Sequence, residues 1–297
     1  MPGDQDITSE HPSVVLAKTG GVPLALRYAV RTDTGLVRDH NEDDFLVLPE
    51  LGVYLVADGM GGHNAGSVAS RICIETVDEY FSQLPDDADE DIFEDDIVGP
   101  DARLTEALIL ANRAIFDAAS KNPELAGMGT TVVGVLQKQD ILSVCHAGDS
   151  RVYLFRNGDL RQLTLDHSLG NFLRALGREG EARLAENTMS NVIMRALGLE
   201  PMVEIESSMV TIRVGDRLLL CSDGLSDLVS DDRISAVLMD PDLKRWEATE
   251  RLVELALDEG GRDNITALLV DVYERGAAPE DDDPASFRGT RFDPESE

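Results

Sequence analysis

Positive charge is what this sequence has least of: 26 Lys and Arg stand against 57 Asp and Glu, for a formal net charge of -31. A surface that acidic repels phosphate backbones and anionic lipid, which argues against nucleic-acid binding and against a polybasic membrane patch. Cysteine is scarce as well. Cys73, Cys145 and Cys221 lie far apart, form no CxxC pair and each sits within an apolar run, so they are expected to be reduced core thiols of a cytoplasmic protein. Long apolar runs are missing: no segment approaches the ~20 residues of a membrane helix. Ser13 to Ala17 is too short an apolar stretch for a signal peptide, in a start that carries acids where a signal carries Lys or Arg. What is there, 297 residues without an obvious linker, is enough to bury a full core as one large domain.

Residues 1–24 mix Pro, Gly, Asp and Thr without periodicity and are expected to form a flexible N-terminal arm. The folded domain is expected over 25–274. Ala25 to Thr32 alternates as a strand, Gly35 to Asp44 interrupts it with polar residues, and Phe45 to Leu48 resumes the β pattern. Val53 to Val56 makes another short strand, ending in Asp58 and a glycine-rich turn through Gly59, Gly61 and Gly62 that frees the backbone for positive φ and for close approach of its carbonyls to an ion or phosphate. Val68, Ala69, Ile72, Val77, Tyr80, Phe81 and Leu84 then share one helical face, with Asn64 as a possible cap. The acidic run Pro85 to Asp101 is expected to be a solvated loop before a second helix on Leu104, Ala107, Leu108, Ala111, Ile115 and Ala118.

From Gly129 the period changes to two, and TTVVGVL, ILSVCHA, RVYLF and DLRQLT are expected to form a meander with a type I′ turn at Asn157-Gly158. Residues 166–201 are polar and weakly periodic, an irregular or helical excursion off the sheet. Strands resume with SMVTIRV and RLLLCSDG, whose Asp223-Gly224 repeats the Asp58-Gly59 ending. Helices are expected over Asp231 to Met239 and Trp246 to Glu259, closed by Gly260-Gly261, before a last strand, ITALLVDV. Residues 275–297 are an acidic tail expected to be disordered. Strands in meanders and helices in pairs, without strict βαβ alternation, argue for an antiparallel α+β protein.

Asp43, Asp58, Asp223 and Asp263 each stand at an end of an apolar β run, and Asp149 stands in a turn of the meander. Any one of them alone would simply face water. As a set, carboxylates repel unless cations neutralise them, and oxygen ligands without His or Cys select Mg²⁺ or Mn²⁺ over zinc. Two such ions ~3.5–4 Å apart activate water and clamp a displacement at phosphorus. Arg38 offers the planar fork that grips a phosphate.

Arg38 with Asn41-Glu42-Asp43, then Asp58-Gly59-Met60-Gly61-Gly62-His63, Gly129-Thr130-Thr131, Ala147-Gly148-Asp149-Ser150-Arg151, Asp166-His167-Ser168, Arg195-Ala196-Leu197-Gly198, Cys221-Ser222-Asp223-Gly224 and Asp263-Asn264 resemble, in order, the motifs of the metal-dependent type 2C serine/threonine protein phosphatases in their bacterial form. The resemblance runs from Tyr28 to about Tyr273. It implies an αββα sandwich of two antiparallel sheets flanked by helix pairs, with a dinuclear Mn²⁺ or Mg²⁺ site at one end. It further implies that Asp58 bridges both ions and the Gly59 carbonyl binds one, that Asp223 and Asp263 hold the other, and that Glu42 and Asp43 stand in the inner or water-mediated shell. By the same resemblance Asp149 holds a weaker third ion with Asp223, Arg38 binds the substrate phosphate rather than the ions, and residues 166–201 form a flap beside the substrate groove. A metal-activated hydroxide then attacks phosphorus directly, without a phosphoenzyme.

One departure stands out. Met60 occupies the place where animal members carry a histidine thought to act as general acid. His63 is nearby and is read as a helix cap in preference to a proton donor; Asn264 is a further accessory candidate. The leading reading is thus a phosphoprotein phosphatase, expected to be a cytoplasmic monomer that reverses a cognate Ser/Thr kinase. Its rivals are a catalytically silent phosphoprotein-binding relative, against which every matched acid is present, and a hydrolase of small phosphate esters or nucleotides.

Overall fold

Side chains repeat at about 2 residues along strands and about 3.6 along helices, and this sorts the apolar residues onto faces that then stack. The computed structural model describes residues 23–61, 65–84, 100–189 and 192–276. In chain order these form β1 (Leu24–Asp33), β2 (Asp43–Leu48), β3 (Val53–Met60), α1 (Ala65–Ser82), α2 (Pro100–Lys121), β4 (Gly129–Lys138), β5 (Ile141–Ala147), β6 (Arg151–Arg156), β7 (Asp159–Gln162), α3 (Leu169–Ala175), α4 (Glu179–Thr188), β8 (Glu206–Thr211), β9 (Arg217–Cys221), α5 (Asp223–Ser226), α6 (Asp231–Met239), α7 (Arg245–Asp258) and β10 (Ile265–Glu274). The strands build two five-stranded sheets, ordered β1-β10-β9-β6-β7 and β2-β3-β4-β5-β8, with antiparallel pairing throughout.

Alternation decides which neighbour each strand face meets. On β3, Leu55 and Ala57 face the helices in a core with Ala69, Val77, Leu104 and Leu108. Tyr54 and Val56, on the opposite face, meet Val30, Val152, Leu220 and Leu268 between the sheets. Outside the other sheet, Leu225, Ile234, Leu252 and Ala256 of the C-terminal helices cover Leu219 and Leu269. The result is the expected αββα layering. Each fully buried Leu, Ile or Val in these layers contributes about 1.5–3 kcal/mol.

The inter-sheet rows do not stop where the apolar residues do. Phe45 and Val47 on β2, Tyr54 and Val56 on β3, Leu218 and Leu220 on β9, and Leu268 and Val270 on β10 all face the gap between sheets. By the same parity the next positions toward one end of the sandwich are Asp43, Asp58, Ser222 and Thr266. Four polar side chains are therefore aimed into one gap by strand geometry alone.

Three expectations need correction. β3 does not end in an Asp-Gly turn; it continues to Met60, because β4 pairs Thr131 with Asp58, Thr130 with Gly59 and Gly129 with Met60. The four runs after Gly129 are not a single meander: β5 belongs to one sheet and β6 to the other, so the Gly148-Asp149 turn is a crossover between sheets, with Gly148 at φ 121°. Asp223 does not repeat Asp58 structurally, since it opens the short helix α5 where Asp58 lies within a strand. The Asn157-Gly158 hairpin forms as expected, with φ of 54° and 85° and Arg156 opposite Asp159.

The N-terminal arm through residue 22, Asn64 and His63, residues 85–99 of the acidic run and the tail from 277 lie outside the described residues. The run's last residues, Pro100 and Asp101, already belong to α2. Among the described residues no helix is long and apolar enough to cross a membrane.

Candidate metal centre

Asp43 and Asp58 stand opposite each other on β2 and β3. One oxygen of Asp43 is fully engaged: Oδ2 accepts from the Thr266 hydroxyl at 2.6 Å and from the Ser222 hydroxyl at 2.8 Å. The wiring behind it has one consistent direction. Thr266 spends its only hydroxyl proton on Asp43, so Thr32, 2.9 Å away, must donate to Thr266, and Asn41 Nδ2 donates to Thr32 at 2.7 Å. The other oxygen, Asp43 Oδ1, is buried without a hydrogen-bond partner among the described residues, as are Glu42 Oε1 and Asp149 Oδ1. Buried carboxylate oxygens left unpaired are costly and call for a cation.

The electrostatics agree. Burial and then the charges of Asp43, Asp223, Asp149 and Asp263 push the Asp58 carboxyl well above the usual carboxylate range. Burial, then Asp149, Asp227, Asp263 and Asp43, does the same to Asp223. Burial lifts Asp43 to about 6 against the pull of its Thr266 and Ser222 hydrogen bonds, and lifts Asp149 to about 6 against its own backbone amide. Each of these acids resists ionising beside the others, which is the condition a divalent ion relieves.

Glu42 closes the site at the start of α1. Its carboxyl faces the backbone amides of Gly66 and Ser67, where the helix end favours negative charge, although burial still raises its pKa. Its carbonyl accepts from Gly59 N–H at 3.1 Å and from the Ser70 hydroxyl at 2.6 Å. No side chain fits here: a Cβ on Gly59 would lie 2.2 Å from Gly66 O, and one on Gly66 would lie 2.7 Å from Glu42 Oε1. The glycines of this corner are thus required for close approach, and Gly59 needs no positive φ. Asn264, 3 % exposed, holds the corner from the other sheet by accepting Glu42 N–H at 2.8 Å and donating to Thr34 O and His40 O, each at 2.9 Å.

Arg38 donates to Asp263 Oδ2 at 2.7 Å, and Asp263 Oδ1 accepts the Asn264 amide at 2.9 Å. Arg38 is therefore in direct contact with one of the candidate ligands. His63 lies outside the described residues, so its two readings stay as they were. Sequence reasoning passed over Asp227, which acts electrostatically on both Asp149 and Asp223. The signal was available, since Asp223 and Asp227 are four apart along a helical turn. Thr32 and Thr266 were missed too, and strand parity would have found Thr266.

A second cluster tests the oxygen-only expectation. His146, His167 and Glu206 bring possible ligand atoms within 4.8 Å of one another. Their geometry argues against an ion: the two imidazoles stack at 4.6 Å with planes 8° apart, so their in-plane lone pairs run side by side and do not converge. His167 Nδ1 accepts Gly148 N–H at 3.0 Å, which places its proton on Nε2, directed at Glu206 at 3.1 Å. His146 Nε2 meets Leu165 O at 3.0 Å. This is a polar strut that ties the Gly148-Asp149 turn to the segment after β7. Beside it Arg151 grips Asp166 at 2.7 Å and 3.0 Å.

With this geometry in hand, comparison with known proteins is informative. Residues 37–268 match the family model for protein phosphatase 2C. The serine/threonine protein phosphatase PstP of Mycobacterium tuberculosis is 40 % identical over 91 % of the chain, and the chain spans about half, 51 %, of that relative's length. The serine/threonine phosphatase stp of Listeria monocytogenes is 35 % identical over 83 % of the chain and 96 % of its own length. A solved structure of the PstP catalytic domain in complex with two manganese ions superposes with a TM-score of 0.71 at 40 % identity, covering 84 % of this chain and 99 % of that one. Stp1 from Staphylococcus aureus gives a TM-score of 0.73 at 28 % identity, over 86 % and 98 % of the two chains. The ordered motifs, the layered sheets and these matches agree, and the chain belongs to the protein phosphatase 2C family.

Proposed function

We propose that this chain hydrolyses phosphoserine and phosphothreonine on proteins at a dinuclear manganese or magnesium centre. The observation that carries the proposal is the group of buried, unpartnered carboxylate oxygens on Glu42, Asp43 and Asp149, gathered with Asp58, Asp223 and Asp263 where the two sheets meet. Two bound divalent ions supply water activation and neutralise charge on the phosphoryl group during an in-line displacement. Asp58, central to the cluster, would be shared between the ions, with the Gly59 carbonyl beside it. Asp223 and Asp263 would hold the second ion, and Glu42 and Asp43 would complete the shells directly or through water. Thr266 and Ser222 keep Asp43 Oδ2 occupied, which leaves Oδ1 to face a cation or its water. Arg38 would grip the substrate phosphate with its planar fork. Met60 has no proton to give, which leaves protonation of the departing serine oxygen to be assigned between His63 and the Asp149 side of the site; we favour the latter, where Asp149 would also hold a weaker third ion.

Residues 166–201, which carry α3 and α4 around their own small apolar cluster of Leu173, Ala182 and Ala185, would border the substrate groove as a flap. The reading extends to a cytoplasmic monomer that reverses a cognate Ser/Thr kinase. The presence of every matched acid supports an active enzyme over a silent relative. The test is a side-by-side assay of phosphoserine, phosphothreonine and phosphotyrosine peptides in chelator, then with Mn²⁺, Mg²⁺ or Zn²⁺ added back. Turnover of the first two with Mn²⁺ or Mg²⁺, and little with Zn²⁺, is expected; turnover that survives chelation, or that favours phosphotyrosine, defeats the proposal.

A further inference from the structure

Next to the acids runs a rim whose outer residues, Leu36, Val37 and Arg262, the proposed chemistry leaves unused. The loop after β1 and the loop before β10 are joined by Leu36 N–H to Gly261 O at 2.7 Å and by Arg38 to Asp263 at 2.7 Å. The α7 end makes this possible: Gly260 and Gly261 close the helix with φ of 113° and 46°, the second donating to Ala256 O at 3.0 Å, and the chain turns straight into Arg262 and Asp263. On the rim, Leu36 and Val37 are 68 % and 66 % exposed. Arg262 is exposed too. Arg38, Arg151 and Arg195, the other arginines around the site, each hold a carboxylate, on Asp263, Asp166 and Glu204. Arg262 has no hydrogen bond or ion pair among the described residues, in a chain whose net charge of -31 offers carboxylates almost everywhere.

Position gives that exposed guanidinium a use. Its Cα is about 3.8 Å from that of Asp263, whose carboxylate holds the arginine assigned to the substrate phosphate. An extended peptide advances about 3.3 Å per residue, so the side chains flanking a phosphorylated residue at Arg38 fall only one or two such steps from it, and Arg262 is next in sequence to the residue that Arg38 contacts. We propose that Arg262 is a specificity-determining residue that binds an anionic group, a carboxylate or a second phosphate, on a residue flanking the one being dephosphorylated, with Leu36 and Val37 as the apolar lip under the peptide. The inference rests on the phosphatase reading above. It is local: Asp39 is exposed on the same loop, and the protein's overall field repels acidic peptides. The readout must therefore be a change of preference between proteins and not the preference of one protein.

The experiment uses one phosphothreonine peptide in three forms, with Ala, Glu or a second phosphothreonine as the neighbour, placed before the substrate residue in one set and after it in another. The ratio of kcat/KM for each anionic form to the Ala form is measured with Mn²⁺ for the full chain, Arg262→Ala and Arg262→Glu, after melting curves confirm that all three are folded. In one of the two sets the ratio is expected to fall about two- to fivefold in Arg262→Ala and further in Arg262→Glu, with the gap narrowing as salt rises. A larger fall for the doubly phosphorylated form than for the Glu form makes a second phosphate the preferred anion, and equal falls make charge alone the determinant. Identical ratios in all three proteins in both sets overturn the proposal. Failure of the unmodified chain to turn over the Ala form is a different result: it defeats the phosphatase reading, and this inference with it.

Discussion

Strands β9 and β10 carry acids near both of their ends, and the two ends treat them in opposite ways. At one end Asp271, 8 % exposed, stands opposite Arg217 in the ladder, receives Arg217 Nε at 2.9 Å and Arg245 Nε at 3.2 Å, and accepts from the Tyr273 hydroxyl at 3.4 Å. Arg245 is itself 7 % exposed. At the other end Asp223 and Asp263 meet Asp43, Asp58 and Asp149, and Asp263 receives a hydrogen bond from Arg38. An acid buried among arginines is complete within the fold. Acids gathered among acids call for a partner from outside, and that difference sets the two ends apart.

Removing acids should therefore have opposite consequences at the two ends, and this is the largest effect expected. Asp58→Asn or Asp223→Asn should cost at least about 10³-fold in turnover, roughly 4 kcal/mol of barrier, while leaving the chelated protein no less stable, because a repelling charge is gone. Asp271→Ala should lower stability by about 3 kcal/mol by removing the carboxylate that two largely buried guanidiniums share, while each folded molecule remains active. Denaturant melts in chelator, paired with peptide assays in Mn²⁺, measure both. A destabilised Asp58→Asn or an inactive, stable Asp271→Ala would erase the contrast.

The contrast sharpens at Asp149, whose environment mixes the two ends: Asp223 and Asp227 face it, but so does Arg151. If this side of the site protonates the departing oxygen, Asp149→Ala should lose about 10²-fold or more on an alkyl phosphoserine peptide and much less on an aryl phosphate, which needs little protonation to leave. Equal losses on both substrates would remove that role from Asp149.

Much of this was legible before the fold was known. Asp58, Asp223 and Asp263 stand at the ends of apolar runs, and period-two alternation in YLVAD and LLLCS already aims Asp58 and Ser222 away from the helix faces. Two things were not legible. Whether a strand stops at Asp-Gly depends on its neighbour, and only the pairing of Thr130 with Gly59 shows that β3 runs on. Whether the run after Ala147 stays in its sheet depends on tertiary packing, because period-two strands look alike whichever sheet they join. The Arg151–Asp166 and Arg217–Asp271 pairs link positions 15 and 54 residues apart, and no local pattern announces such partners.

The His146–His167 strut gives a smaller, pH-dependent effect. Burial lowers the pKa of His167, and the nearby His146 and Arg195 charges reinforce this against the Glu206 hydrogen bond. The unfolded chain then binds the proton more readily, so the stability contributed by neutral His167 is present above its unfolded pKa of ~6.5 and is lost as pH falls below it. A proton on Nδ1 would also end acceptance of Gly148 N–H, the link to the Asp149 turn. Wild type should exceed His167→Gln in stability by the most above pH ~6.5, with the gap shrinking on acidification. A gap that widens toward low pH would show that His167 is held as the cation.

The smallest effect tests where the boundary between the two kinds of site runs, at Arg38. It hydrogen-bonds one of the acids directly, and that contact with Asp263 makes it a candidate both for substrate binding and for metal-site structure. The two roles predict different magnitudes. Arg38 and Asp263 are 48 % and 34 % exposed at the side chain, and such pairs contribute about 0–1 kcal/mol. Asp263 also keeps its Oδ1 contact with the Asn264 amide when the guanidinium is gone. Arg38→Ala should therefore change Mn²⁺ affinity by no more than about fivefold, in either direction, since the guanidinium both orients Asp263 and competes for its charge. The same variant should raise KM for a phosphopeptide by far more, because the phosphate loses the planar, bidentate partner assigned to it. Calorimetric titration with Mn²⁺ beside peptide kinetics separates the cases. A tenfold or greater loss of Mn²⁺ affinity with an unchanged KM would move Arg38 into the metal site and make it the counterpart, at this end, of Arg217 at the other.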